Sequence, residues 1–233
     1  MEIIKTENLT KQYNHKDGIV NAIDKISLEV ESGDFVSITG KSGSGKTTLL
    51  LILGGLLKPT SGKFFFNDTI VNTSDDKFLS KYRSENVGFV MQNFALIPYL
   101  TAVENIMVAL SLNPKVNGQA KTQAIDLLNV VGLDGRINHY PRELSAGQQQ
   151  RVAIGRALAN KPQIILADEP TGNLDPSLAE EILQTLKDIN KEYKTTILMV
   201  THSPMAAEFG NKKIKLENGK LINQFENEIN LKI

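Results

Sequence analysis

The chain has 233 residues, with 26 basic and 26 acidic side chains, 41% hydrophobic residues and no cysteine. That length suits one large or two small domains with a sizeable core, and zero cysteine excludes disulfide frameworks, thiol nucleophiles, cysteine-ligated zinc and ordinary iron–sulfur clusters. A formal net charge of zero argues against a general electrostatic nucleic-acid binder, so no nucleic-acid partner is expected.

Taken in chain order, the N-terminal residues 1–7 alternate charge with apolar side chains and lack the apolar core of a signal peptide, so no export is expected. Phe35–Thr39 is an apolar run bounded by Gly33-Asp34 and Gly40, and reads as a strand entering a loop. Residues 45–57 read as a helix, with Gly54-Gly55 near its end and Pro59 beyond it. The longest apolar stretch, 49–57, is far short of the roughly 20 residues a bilayer span needs, so any membrane role is expected to be peripheral. Phe64-Phe65-Phe66 and Val87–Met91 read as strands.

Residues 101–110, 121–131 and 147–159 all read as helices with no strand between them, so about 93–160 reads as a helical subdomain inserted into a core formed by about 1–92 and 161–226. Residues 164–167 and 195–201 are fully apolar or nearly so, the pattern of buried parallel strands. Asn218-Gly219 between two apolar runs is a two-residue hairpin signal, and 227–233 reads as a loose end. Strands alternating with helices predict an α/β fold with a mostly parallel sheet.

Gly40-Lys41-Ser42-Gly43-Ser44-Gly45-Lys46-Thr47 matches the phosphate-binding loop pattern, after a strand and opening a helix as the mechanism requires. Its glycines let backbone N–H groups turn toward phosphate oxygens. The helix N-terminus adds partial positive charge, Lys46 a mobile full charge, and the Thr47 hydroxyl a ligand for Mg²⁺. By chance, such a match arises roughly once in a hundred chains of this length.

Asp168-Glu169 ends an apolar strand, so both carboxylates are expected to face a nucleotide crevice. Asp168 is the expected metal-associated charge and Glu169 the expected general base. Alone, such a pair is more often a solvated strand end. Leu144-Ser145-Ala146-Gly147-Gln148-Gln149-Gln150-Arg151 opens a helix and makes a second anion site at its N-terminus.

That last segment, placed some twenty residues before the acidic strand, resembles the signature of ATP-binding-cassette (ABC) ATPases. The resemblance runs from Tyr13 to His202 and implies a P-loop NTPase core with an N-terminal antiparallel β portion. It implies ATP and Mg²⁺ as ligands, with residues 40–48, Thr48 included, around the phosphates. Tyr13 matches the aromatic that stacks on adenine. Gln92 matches the glutamine that links Mg²⁺ and the attacking water to the helical subdomain, and His202 the histidine at the γ-phosphate. Asn173-Leu174-Asp175 matches the loop that crosses between subunits. Two positions depart from the family pattern: Lys41 replaces a common proline, and Ala146 replaces the first of two glycines.

The resemblance further implies a second copy of the chain, with Ser145, Ala146, Gly147 and Gln148 completing the partner's ATP site, and a separate integral membrane permease subunit. The expected location is cytoplasmic, on the inner face of the cell membrane. Residues 91–106 and 171–175 resemble the branch serving lipoprotein release, macrolide export and antimicrobial-peptide resistance. A soluble single-cassette ATPase of cofactor assembly is the alternative, and a plain P-loop kinase leaves residues 144–151 and His202 unexplained.

Overall fold

The computed structural model describes residues 1–226 apart from Asp17, Ser74, Pro114, Lys115 and Asn117. The expected loose end, 227–233, lies outside the described residues. In chain order the elements are β1 (Glu2–His15), β2 (Gly18–Glu31), β3 (Phe35–Thr39), α1 (Lys46–Leu53), β4 (Ser61–Phe66), β5 (Thr69–Ile70), α2 (Asp76–Asn86), β6 (Val87–Met91), α3 (Ala102–Ser111), α4 (Ala120–Val130), α5 (Ala146–Leu158), β7 (Ile164–Asp168), α6 (Pro176–Tyr193), β8 (Thr196–Thr201), α7 (Pro204–Ala207), β9 (Lys212–Glu217) and β10 (Lys220–Glu226).

They build two sheets. An antiparallel sheet has the order β2-β1-β4-β5, and a mostly parallel one the order β10-β9-β3-β8-β7-β6. Burial on both faces follows from period-two alternation in β7 and β8. Ile164, Leu166, Leu198 and Val200 join the cluster shared with α1 and the antiparallel sheet. Ile165, Ala167, Ile197 and Met199 join the cluster under α3, α4, α5 and α6. Between β6 and β7 the described residues form helices and no strand.

Two of the three longer helices in that block, α3 and α5, start where a side chain satisfies free N–H groups, whereas α4 starts after Gln119 with no side-chain cap. Thr101 and Glu104 form a capping box on α3, and Ser145 and Gln148 form another on α5. α1 is shorter than expected and stops at Leu53, because Gly54 caps it and Gly55, at φ 64°, turns the chain away. The N–H groups of Leu56 and Leu57 then both donate to the Leu51 carbonyl, at 2.9 and 3.1 Å. α2 and α6 lie outside the helices read from sequence, although Ala179, Ile182, Leu183, Leu186 and Ile189 give α6 a buried stripe at helical spacing. Asn218 and Gly219, at φ 50° and 77°, make the expected tight turn between β9 and β10.

Register sets the site. Thr39 pairs with Thr201, Asp168 with Val200, and Met91 with Asp168, so the carboxyl ends of four strands stand in one row. The next residues along the chain, Gly40, Gln92, Glu169 and His202, therefore emerge together at one end of the sheet.

Candidate active site

Residues 40–47 wrap over the start of α1. Gly40, Gly43 and Gly45 sit at φ 155°, 77° and 101°. A Cβ at Gly45 would stand 2.1 Å from the Ala22 carbonyl oxygen, and one at Gly40 would stand 2.3 Å from that of Leu216. The loop is thus wedged between β2 and β9, and a side chain at either glycine would push it out. The Gly219 N–H of the β9–β10 turn donates to the Ser44 carbonyl at 3.1 Å and supports the loop from below. Lys46 is buried, its Nζ arching back to donate to the carbonyls of Gly40 at 2.8 Å and Lys41 at 3.1 Å.

The loop opens onto a cleft of about 660 Å³. Ser42, Gly43, Ser44, Gly45, Lys46, Thr47 and Thr48 line it on one side, and Gln92, Asp168, Glu169 and His202 on the other. The Thr47 hydroxyl donates to Asp168 at 3.1–3.2 Å, bringing together two hard oxygen donors of the kind a magnesium ion takes. Among the described residues no cluster of three or more His, Asp or Glu could hold a metal, so Mg²⁺ held here would need further oxygen donors, such as the Gln92 amide, phosphate and water, beside Asp168 and Thr47. The Ser44 hydroxyl is buried without a hydrogen-bond partner inside the loop, the condition of a donor built for an anion. Burial raises the Asp168 pKa, helped by the Glu169 charge and opposed by the Thr47 hydrogen bond and the Lys46 charge.

Glu169 is held in a conformation that residues other than glycine rarely adopt, φ 47°, by its N–H on the Val200 carbonyl at 3.0 Å. Its carboxylate accepts from His202 Nδ1 at 2.9 Å and from the His202 N–H at 3.2 Å. The Glu169 side chain is 14% exposed and that of His202 67%, so one is fixed and the other stands at the mouth. The exposed Gln92 is tied through its carbonyl, which accepts from Asn173 Nδ2 at 2.9 Å.

Other residues singled out in the sequence stand apart from the cleft. Tyr13 is on β1, 40% exposed, with Lys11 Nζ 5.3 Å from its ring centroid, and does not line the cleft. Gly40 and Lys41 contribute carbonyls to Lys46 rather than lining. Ser145 caps α5, Gly147 packs under Leu178 of α6, and Ala146 is the first helical residue, at a φ that accepts a methyl. Leu174 packs on the core, while Asp175 caps α6 by accepting from the N–H groups of Ser177 and Leu178, both at 3.1 Å. Ala22 and Val200 line the cleft without any sequence signal, because β2 and β8 are brought there only by the fold.

The sequence model of the ABC transporter family matches residues 23–172, which holds the phosphate loop, Gln92, the signature segment and the acidic pair. The chain belongs to the ABC transporter family. The ABC transporter ATP-binding protein MJ0796 of Methanocaldococcus jannaschii is 45% identical over 223 residues, covering 94% of this chain and 95% of that one. The lipoprotein-releasing system ATP-binding protein LolD of Cytophaga hutchinsonii is 41% identical over 221 residues, covering 95% and 99%. A solved dimeric MJ0796 structure, in a post-hydrolysis state bound to ADP and Pi, matches with TM-score 0.88 at 42% identity over 96% and 98% of the two chains. This ABC cassette is accordingly an ATPase. No helix among its described residues is long and apolar enough to cross a membrane.

Proposed function

We propose that the cassette is the ATP-hydrolysing subunit of a transporter, working as two copies that sandwich two Mg-ATP between them. The observation that carries this reading is the split of phosphate-binding features. Lys46, Thr47, Asp168, Glu169, Gln92 and His202 share one cleft, while Ser145 and Gly147 open α5 outside it. A two-fold axis brings the signature of one copy over the cleft of the other. The dimeric state of the similar MJ0796 cassette supports that arrangement.

In this reading residues 40–48 cradle the phosphates, and Lys46 exchanges its carbonyl partners for phosphate oxygens. Thr47, Asp168 and Gln92 would hold Mg²⁺, which would supply neutralising charge to the transferring phosphate. Glu169, pinned by its backbone and by His202, accepts the proton of the attacking water as the new oxygen–phosphorus bond forms. The bond from the γ-phosphorus to the bridging oxygen breaks, and that oxygen leaves with ADP. His202 orients Glu169 and contacts the γ-phosphate. Tyr13 stacks on adenine at the rim, and residues 173–175 cross to the second copy. Loss of the γ-phosphate removes what bridges the copies, and they separate.

Residues 1–92 and 161–226 form the ATP-binding core in this reading, and 93–160 the helical subdomain. Between them lies a groove of about 630 Å³ with apolar Leu56, Phe89, Met91 and Leu112. It suits a short helix of an integral membrane subunit, which supports a location on the inner face of the cell membrane. Similarity to LolD, named for lipoprotein release, points to an exported or released peptide, lipoprotein or drug.

Glu169→Gln tests the central claim. It keeps size and most hydrogen bonding but cannot take a proton, so phosphate release is expected to fall on the order of 10²–10⁴-fold while ATP binding survives. With Mg-ATP the variant accumulates as a dimer in size-exclusion chromatography. Near-normal hydrolysis would remove Glu169 as base, and an inactive protein that stays monomeric with ATP bound would count against the sandwich.

A further inference from the structure

The loop after Gln92 passes through two consecutive non-glycine residues in the left-handed region, Phe94 at φ 61° and Ala95 at φ 48°. Adjacent L-residues seldom hold that conformation without outside support, because each Cβ crowds the backbone. The support here is Arg156 of α5. Its Nη1 donates to the Ala95 carbonyl and its Nη2 to the Phe94 carbonyl, the latter at 2.9 Å. No carboxylate pairs with Arg156 among the described residues, so those two carbonyls answer its charge. Burial lowers its pKa from the usual guanidinium value, as expected of a group withdrawn from water.

The rest of the loop is fixed as firmly. Asn105 of α3, 1% exposed, accepts from the Ile97 N–H at 2.8 Å and donates to the carbonyls of Ile97, Leu100 and Thr101 at 2.9–3.2 Å. Asn173 holds the Gln92 carbonyl from the other side. The backbone is therefore clamped by side chains from three segments, and the Gln92 side chain alone projects into the cleft.

α5 joins that clamp to the signature. From Ser145 to Arg156 the helix runs about 16 Å along its axis, at 1.5 Å per residue. Its middle residues Val152, Ala153, Ile154 and Gly155 are buried, and its C-terminal turn lies directly on β6, where a Cβ at Gly88 would stand 2.4 Å from the Ala157 carbonyl oxygen. A helix so packed moves as a rod.

We propose that Arg156 is a positioning residue that passes displacement of the Ser145 end of α5 to the Phe94-Ala95 backbone, and so to Gln92 in the cleft of the same chain. This rests on the reading in which Ser145 and Gly147 close over the partner copy's ATP. Under it, one chain's signature and its own Gln92 belong to different ATP sites of the dimer. The clasp then makes hydrolysis in one cleft depend on closure over the other.

Arg156→Ala in the full chain tests this. Its kcat for ATP is expected to fall on the order of tenfold to a hundredfold, with the dissociation constant of a fluorescent ATP analogue unchanged within about twofold. Arg156→Lys keeps the charge but has no planar fork, and is expected to fall between parent and Arg156→Ala; it also serves if the alanine variant does not fold. Adding Ala95→Gly to either variant should restore part of the lost kcat, since glycine holds positive φ without a clasp. A general loss of packing would show no such recovery.

An unchanged kcat, a loss explained by weaker nucleotide binding, or no recovery with Ala95→Gly would overturn the clasp. Glu169→Gln run beside these variants separates the two ideas. If it fails to dimerise with Mg-ATP, the shared-site reading fails whatever Arg156 does. If it dimerises while both Arg156 variants hydrolyse ATP normally, only the clasp is lost.

Discussion

Asp168 shows what a carboxylate half-buried beside the 40–47 loop costs the folded chain. Its raised pKa, caused first by burial, means the folded chain holds that proton more tightly than the unfolded chain does. The resulting stabilisation is complete below the unfolded carboxylate value and is lost as pH rises through the folded one. At neutral pH the ionised carboxylate therefore weakens the nucleotide-free protein, modestly because the group is about half exposed and screened. Asp168→Asn keeps an acceptor for the Thr47 hydroxyl and removes the charge. Its melting temperature without nucleotide should exceed the parent's by about 1–3 °C at pH 7.5. That gap should close as pH is lowered into the carboxylate range, while stabilisation by Mg-ATP disappears. Thermal melts across pH decide it, and a lower melting temperature at neutral pH would show that Asp168 contributes stability instead.

The contact between α5 and β6 is set by two residues with little or no side chain. Gly88 faces the Ala157 carbonyl oxygen so closely that a methyl at position 88 would meet backbone, which cannot swing aside. Gly88→Ala should therefore lift α5 from the sheet and destabilise the fold by about 1–3 kcal/mol, read as a lower urea midpoint. The displaced helix also carries Arg156, so kcat should fall further than the loss of folded protein explains. A neutral Gly88→Ala would mean that the helix and strand can separate at little cost. Gly147 contrasts with it, because its neighbour is the flexible end of Leu178, with Cδ2 3.1 Å from a Cβ position that it can vacate.

At the scale of the whole molecule the question is whether one chain contains a complete site. A Lys46→Ala subunit lacks the mobile charge in its own cleft, and a Gly147→Asp subunit places a carboxylate where the partner's phosphate would sit. In a mixed dimer one site carries both defects and the other neither. An equal mixture of the two inactive parents should recover measurable activity, at most about a quarter of the parental value. Half the dimers are mixed with one intact site each, and the clasp ties that site to closure over the defective one. Phosphate release from the mixture measures it. Complete sites within single chains would leave the mixture as inactive as its parents.

What was legible in the sequence was what a short stretch of backbone must do by itself. The glycines of residues 40–47, the apolar runs ending at Asp168 and Thr201, and the Asn218-Gly219 turn each state a local conformational need that few other residues meet. α2 and α6 were missed there, although α6 carries an apolar stripe at helical spacing. The capping boxes at Thr101 and Ser145 are also local, but they were found only with the structure. Tertiary structure alone decided how these pieces meet. Parallel register placed Gly40, Gln92, Glu169 and His202 in one row. Packing of β2 and β9 around the loop put Ala22 and Gly219 against it, and left Tyr13 outside the cleft lining. The Arg156 clasp joins residues more than sixty positions apart through side-chain donors and backbone carbonyls. Every residue offers a carbonyl, so no residue type announces which one will be held, and only the folded chain determines the distance.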